Sequence, residues 1–133
     1  MERSPPRKEH TVNFTLELVA VPVSDTDRAK AFYEQVGFHA DHDHRVNDDL
    51  RFVQLTPPGS GCSIAIGDGI SPSEPGSMKG LQLVVRDLDA ARSLLLERGV
   101  EVSEIDVQPW SRFVYFSDPD GNGWSVQEIT ARP

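Results

Sequence analysis

The sequence predicts an α+β fold made of two βαβββ units, and three observations predict it. Shifted by 62 residues, the chain overlies itself without a gap: Val23, Asp25, Asp27, Ala29 and Gly37 meet Val85, Asp87, Asp89, Ala91 and Gly99. In each copy an apolar run is followed by an aspartate and then by apolar residues at helical spacing. Downstream, at a shift of 61, Arg51-Phe52-Val53-Gln54-Leu55-Thr56 meets Arg112-Phe113-Val114-Tyr115-Phe116-Ser117, and at 62 again Ser63-Ile64-Ala65 meets Ser125-Val126-Gln127. Each of these runs is β-rich and bordered by turn residues.

The first strand is expected near residues 14–22, within the apolar run that reaches Val23. Asp25 offers an N-cap oxygen to free backbone N–H groups, so a helix follows near 26–36. Ala29, Phe32, Tyr33 and Val36 share one face of that helix, and Gly37 supplies the left-handed residue that ends it. Three strands are expected near 39–46, 50–56 and 62–67. The second copy repeats the plan, with a strand near 80–86, a helix near 88–98 capped by Asp87 and ended by Gly99, and strands near 100–107, 111–117 and 123–129. The domain organisation is therefore a frayed tail over 1–12 and a single domain over 13–133, with repeat 1 at about 13–67, a Gly-, Pro- and Ser-rich linker at 68–78 and repeat 2 at about 79–130.

A sheet built this way has one face covered by its helix and one left open, so the open faces must find cover. The chain could pair its own halves or borrow a half from a second copy, and exposed sheet edges lead us to expect a homodimer.

Composition narrows the function. At 133 residues the chain fits one domain, and no stretch nears the roughly 18 apolar residues of a membrane span. The first ten residues lack the apolar centre of a signal peptide and Cys62 has no cysteine to pair with, so a cytoplasmic location is expected. A formal charge of −8 repels phosphate backbones, which argues against nucleic acid as a partner.

Three stretches carry a family resemblance: Val23-x-Asp25 leading to Ala31-Phe32-Tyr33 and Gly37-Phe38; Val85-x-Asp87-Leu88-Asp89 leading to Gly99; and Phe116-Ser117-Asp118-Pro119-Asp120-Gly121-Asn122. Over about residues 14–129 the chain resembles the vicinal oxygen chelate superfamily, which includes glyoxalase I, bleomycin-resistance proteins and extradiol dioxygenases. The resemblance implies a cavity-enclosing sheet and, in members with chemistry, one divalent ion held by His, Glu or Gln on the first, fourth, fifth and eighth strands. Carried over by distance from the motifs, those positions fall on Leu18, Ser63, Leu81 and Ser125. Leucine has no lone pair and a neutral hydroxyl is a poor ligand, so neither metal nor other cofactor is expected. A one-residue slip would bring in Glu17 and Gln82, but the last strand would then offer Trp124 or Val126, and Glu17 and Glu128 read as solvated strand-end charges.

Other motifs carry less. His42 and His44 share a strand face opposite His39, Asp41 and Asp43, which reads as a solvated face able to pick up adventitious metal. The Asp118-to-Gly123 turn mimics the start of a calcium loop, but Ile129 stands where the closing glutamate belongs.

If Leu18, Ser63, Leu81 and Ser125 face inward, alternation adds Leu16, Ala20, Ala65, Leu83 and Gln127. Tyr115 lies where dioxygenase-type relatives keep an active-site tyrosine; Phe113 accompanies it, the repeat implicates Phe52 and Gln54, and Trp110 is expected at the mouth. The lining is apolar and aromatic with no cationic clamp, so a small hydrophobic or aromatic ligand is expected, bound or sequestered as bleomycin-resistance relatives do. The alternative is an enzyme: a metal-dependent lyase, isomerase or dioxygenase of the family type, or a metal-free catalyst using Tyr115 as acid or base. A phenol of ordinary pKa, about 10, is a poor base at neutral pH.

Overall fold

The structure, a computed structural model, describes residues 12–129, so all but Val12 of the expected N-terminal tail lies outside the described residues. The element order is β1 (Leu18–Ala20), α1 (Thr26–Val36), β2 (His39–Asn47), β3 (Leu50–Thr56), β4 (Ser63–Asp68), β5 (Leu81–Val85), α2 (Leu88–Glu97), β6 (Asp106–Gln108), β7 (Ser111–Ser117) and β8 (Gly123–Glu128). Two four-stranded sheets result, ordered β1-β4-β3-β2 and β5-β8-β7-β6. In each sheet the strand before the helix pairs parallel with the last strand, and the other pairings are antiparallel. This is the α+β pair of βαβββ units that the repeat predicts.

Each helix begins and ends as its residues dictate. Asp25 accepts from Arg28 N and Asp87 from Ala90 N, satisfying one free N–H at each start. Gly37, at φ +125°, and Gly99, at φ +82°, turn the chain away in backbone conformations that L side chains rarely adopt.

Two expected strands are shorter than predicted. β1 covers only Leu18–Ala20 because its one partner, β4, begins at Ser63 opposite Leu18, and residues 14–17 run beyond the ladder. β6 covers Asp106–Gln108 instead of 100–107, because Ser103 meets β7 through its own N–H and hydroxyl at Tyr115, outside any ladder.

Strand alternation divides each sheet cleanly. Val53, Leu55, Ile64 and Ile66 face α1, and Val114, Phe116, Trp124 and Val126 face α2, all 5 % exposed or less. The sheets' arginines lie on these same helix-covered faces. Arg51 bonds Asp27 of α1 at 2.7 Å and Asp43 at 2.9 Å, and its counterpart Arg112 bonds Asp89 of α2 at 3.0 Å and Glu128 at 2.9 Å.

The helix-covered faces of both halves merge into one core. Phe32 of α1 lies 6.0 Å from Phe116 between ring centroids, and Trp124 stands 5.8 Å from Tyr33 and 5.5 Å from Phe38. A buried polar lock crosses the same junction: Tyr33 donates to Asp118 Oδ2 at 2.8 Å, Trp124 Nε1 donates to the Tyr33 hydroxyl at 3.0 Å, and Asn122 Nδ2 donates to Asp118 and to the Pro22 carbonyl. The halves are thus packed back to back with α1 between the two sheets, and both open faces look outward. Of the two pairings the sequence allows, the chain does not cover its own open faces with each other.

Two stability predictions follow from this packing. Tyr33→Phe leaves the buried Trp124 N–H without its acceptor and takes one donor from Asp118, and should cost about 1–3 kcal/mol in urea unfolding; Glu34→Gln, at an exposed position, should change little. Glu128 is held down to about 2 by the Arg112 guanidinium and the Leu88 N–H. A depressed carboxyl stabilises the fold above its ordinary value of 4.5 and ceases to do so as pH falls through about 2, so stability measured by urea titration should decline across that window and decline less in Glu128→Gln.

Candidate functional site

The open face of each sheet is read directly from the register. On the first, Leu18 pairs with Ser63 and Ala20 with Ala65; Gln54 lies beside Ala65 and Phe52 beside Gly67; and β2 adds His42 opposite Gln54 and His44 opposite Phe52. Leu18, Ser63, Ala65, Phe52 and Gln54 therefore share one surface, as alternation predicts. The two histidines, expected on a plain solvated face, lie on this same surface with ring centroids 6.2 Å apart.

On the second sheet Tyr115 pairs with Ser125 and Phe113 with Gln127, again on one open face, and Asp106 of β6 lies opposite Phe113. Leu81 and Leu83 do not share the open face, although Leu81 lines a depression beside Tyr115 and Ser125. They pair with Trp124 and Val126 and pack against the core, while Gln82 and Val84 take the open face beside Ser125 and Gln127. Placing the fifth-strand position six residues before Asp87 is what misled, because it amounts to an odd shift of 63 from Leu18. An even shift preserves the face of a strand residue, and 62 applied to Ala20 gives Gln82.

Trp110 sits in the β6–β7 turn and is 70 % exposed. Tyr115 is 40 % exposed, and a depression of about 380 Å³ runs past it and Ser125 to Gly80 and Gly123. The Phe113 and Tyr115 rings stand parallel within 4°, centroids 6.3 Å apart.

The four positions corresponding to the ion-binding places are thus Leu18 and Ser63 on one open face and Gln82 and Ser125 on the other. Their polar groups are bonded to neighbours. Ser63 Oγ accepts from Gln54 at 3.2 Å and meets the Thr56 hydroxyl at 2.6 Å; Ser125 donates to Gln82 Oε1 at 3.1 Å, and Gln82 donates to Gln127 at 2.7 Å. Gln82 alone is of a type the resemblance allows, and one amide beside a leucine and two neutral hydroxyls does not make the donor set of a divalent-ion site. Among the described residues no three His, Cys, Asp or Glu side chains converge as an ion-binding group.

Tyr115 donates its hydroxyl to Asp106 Oδ2 at 2.6 Å. That bond pushes the phenol's pKa up and holds the Asp106 carboxyl below the usual range, with help from Gln108. A phenol so placed is a weaker acid than a free one and keeps its proton at neutral pH, so little phenolate is there to act as a base and its role here is that of a donor. Sequence reasoning missed Asp106 and Gln108; the parity of β6, read back from Phe113, was the available signal.

The β5 register gives a direct check. Leu81→Ala should destabilise by about 1–3 kcal/mol, because Leu81 packs on the core, whereas Gln82→Ala should stay within about 0.5 kcal/mol by urea unfolding. Reversed values would restore the register in which Leu81 faces outward.

Comparison with known proteins places this geometry in context. The sequence matches the model of the Glyoxalase/Bleomycin resistance protein/Dioxygenase superfamily over residues 15–126. The structure is similar to TnmS3, an antibiotic binding protein from Streptomyces sp. CB03234, at 38% identity and a TM-score of 0.80, covering 91% of this chain and all of that one. A glyoxalase/bleomycin resistance protein from the same Streptomyces is 40% identical with a TM-score of 0.74, covering 86% of this chain and 100% of its own. An uncharacterized protein of Bacillus subtilis (strain 168), YetH, is 29% identical over 113 residues, 83% of this chain and 94% of that protein. No helix among the described residues is long and apolar enough to cross a membrane.

Proposed function

The chain belongs to the glyoxalase/bleomycin resistance protein/dioxygenase superfamily, and from that premise we propose that it binds and sequesters a small hydrophobic or aromatic molecule, without metal, in a cleft that two copies complete. The observation that carries this reading is the chemistry of the open faces. Leu18, Ala20, Phe52, Tyr115 and Val84 supply apolar and aromatic surface there over the buried Ala65 and Phe113, and Gln54, Ser63, Gln82, Ser125 and Gln127 supply neutral hydrogen-bonding groups. Such a surface removes an aromatic solute from water and orients it, but offers no ion to activate it. The antibiotic binding named for TnmS3 supports the same reading.

The second copy is needed because each open face lacks its opposite wall. Val12, Phe14, Leu16 and Leu18 alternate along the chain at 71, 93, 71 and 36 % exposure. A row of apolar side chains on an extended segment, leading into an edge strand, is the kind of surface a partner sheet covers. In the proposed homodimer the first open face of one copy lies across from the second open face of its partner, giving two clefts by symmetry. A soluble carrier of this kind, with its single Cys62 unpaired, suits the cytoplasm.

Light scattering should give the mass of a dimer, and the double substitution Phe14→Asp with Leu16→Asp should shift it to monomer while leaving far-UV circular dichroism intact. Calorimetric titration with a neutral polycyclic aromatic alcohol should show about one site per chain in the dimer and a loss of at least about tenfold in affinity in the monomeric variant. Binding that survives in the monomer would refute the shared cleft, and a stoichiometric ion required for binding would refute metal independence.

A further inference from the structure

We propose that Asp106 is a charge-selecting anchor in this cleft, so that the site prefers an aromatic molecule bearing a cationic or strongly hydrogen-bond-donating group and rejects anionic ones. The inference rests on the ligand-binding reading above and adds the class of ligand. Asp106 lies on the second open face, opposite Phe113 in the register and bridged to Tyr115. Two donors fix the carboxylate: the Tyr115 hydroxyl at 2.6 Å and Gln108 Nε2 at 3.1 and 3.0 Å from its two oxygens. A carboxylate has about four lone-pair sites, and these contacts leave acceptor capacity for a further partner. Held in this way it is ionised at neutral pH.

Among the described residues, the strands of the second sheet place no Lys or Arg on this face to neutralise it. Arg112, on the adjacent strand, belongs to the opposite face and is engaged by Glu128 and Asp89. On the first sheet Arg51 is likewise engaged by Asp27 and Asp43 on the helix-covered side, and Arg45 by Asp68. The carboxylate stands beside the parallel rings of Phe113 and Tyr115, whose π-faces attract a cationic aromatic as well as a neutral one. Carboxylate and ring faces thus favour the same kind of guest, while a phosphate or carboxylate would meet a like charge on this face.

Three anthracene-like probes of one size test this by calorimetry on the full-length protein: 9-aminoacridine as the cation, anthracene-9-methanol as the neutral member and anthracene-9-carboxylate as the anion. The cation should bind at least about tenfold tighter than the anion at low salt, and added salt should weaken the cation but not the neutral probe. Asp106→Asn should bring cation and anion to within about threefold of each other, while Asp106→Glu should keep the cation preference. Neutral binding without charge preference in the parent protein, or a preference unaltered in Asp106→Asn, would overturn the anchor alone. Failure of all three probes to bind would overturn the aromatic cleft itself and the anchor with it.

Discussion

The buried carboxylate of Asp118 is the constraint on which the arrangement of the molecule depends. It is 4 % exposed, and its two oxygens accept from the backbone N–H groups of Asp120 and Asn122, the Asn122 amide and the Tyr33 hydroxyl. The first two contacts close the turn before β8; the last reaches α1 in the other half, 85 positions away in sequence. A carboxylate stripped of water must be surrounded by donors, and this one gains its last donor, the Tyr33 hydroxyl, only when both halves are in place. Tyr33 is bound to the same geometry, since burial and the neighbouring Asp118 push its phenol up and keep its proton on as donor. The Asp-Pro-Asp-Gly-Asn turn is therefore both a hairpin device and the bolt between the repeats. Ser24 adds to it by donating its hydroxyl and its backbone N–H to Asp120.

Because the bolt joins the helix-covered sides, it also decides what the open sides can be. Aromatic packing is concentrated where the halves meet and the arginine–carboxylate pairs lie on the helix-covered side within each half, leaving leucine, phenylalanine, tyrosine, serine and glutamine on the open faces. The pairing of Arg51 with Asp27 and of Arg112 with Asp89 is one device used twice, joining the first turn of each helix to the strand beneath it. It keeps guanidinium groups on the structural side of each sheet, and the charge of the ligand-facing side is set by its few acidic and imidazole groups.

The repeat, the helices and the turn were legible because each rests on local rules: a capping aspartate, a terminating glycine, a spacing of 3 and 4. The face of most strands was legible for the same reason: Gln54 lies on one open face with Ser63, and Phe113 on the other with Tyr115 and Ser125, as alternation requires. The fifth strand was misread because a distance measured from a motif ignores loop length, whereas a strand tolerates only even shifts. From Leu18 to Asp25 is two residues further than from Gln82 to Asp87, the positions that face Ser63 and Ser125. The back-to-back packing was not legible at all, since no local pattern says which pair of apolar faces meets. The tyrosine, the tryptophan and the aspartate of the bolt are separated by most of the chain, and only their burial together reveals the choice.

This division of labour explains how the ion-binding positions can hold leucine, serine and glutamine without harm to the fold. Leu18, Gln82 and Ser125 lie outside the shared core, and Gln82 is bonded to Ser125 and Gln127 on the open face. A substitution there changes what the cleft can hold and leaves the bolt, the caps and the helix-covered faces as they were. A change at Tyr33, Asp118 or Trp124 would instead loosen the joint that fixes both open faces in space. Chemistry on this scaffold is therefore free to vary on one side of each sheet, provided the other side continues to hold the two halves together.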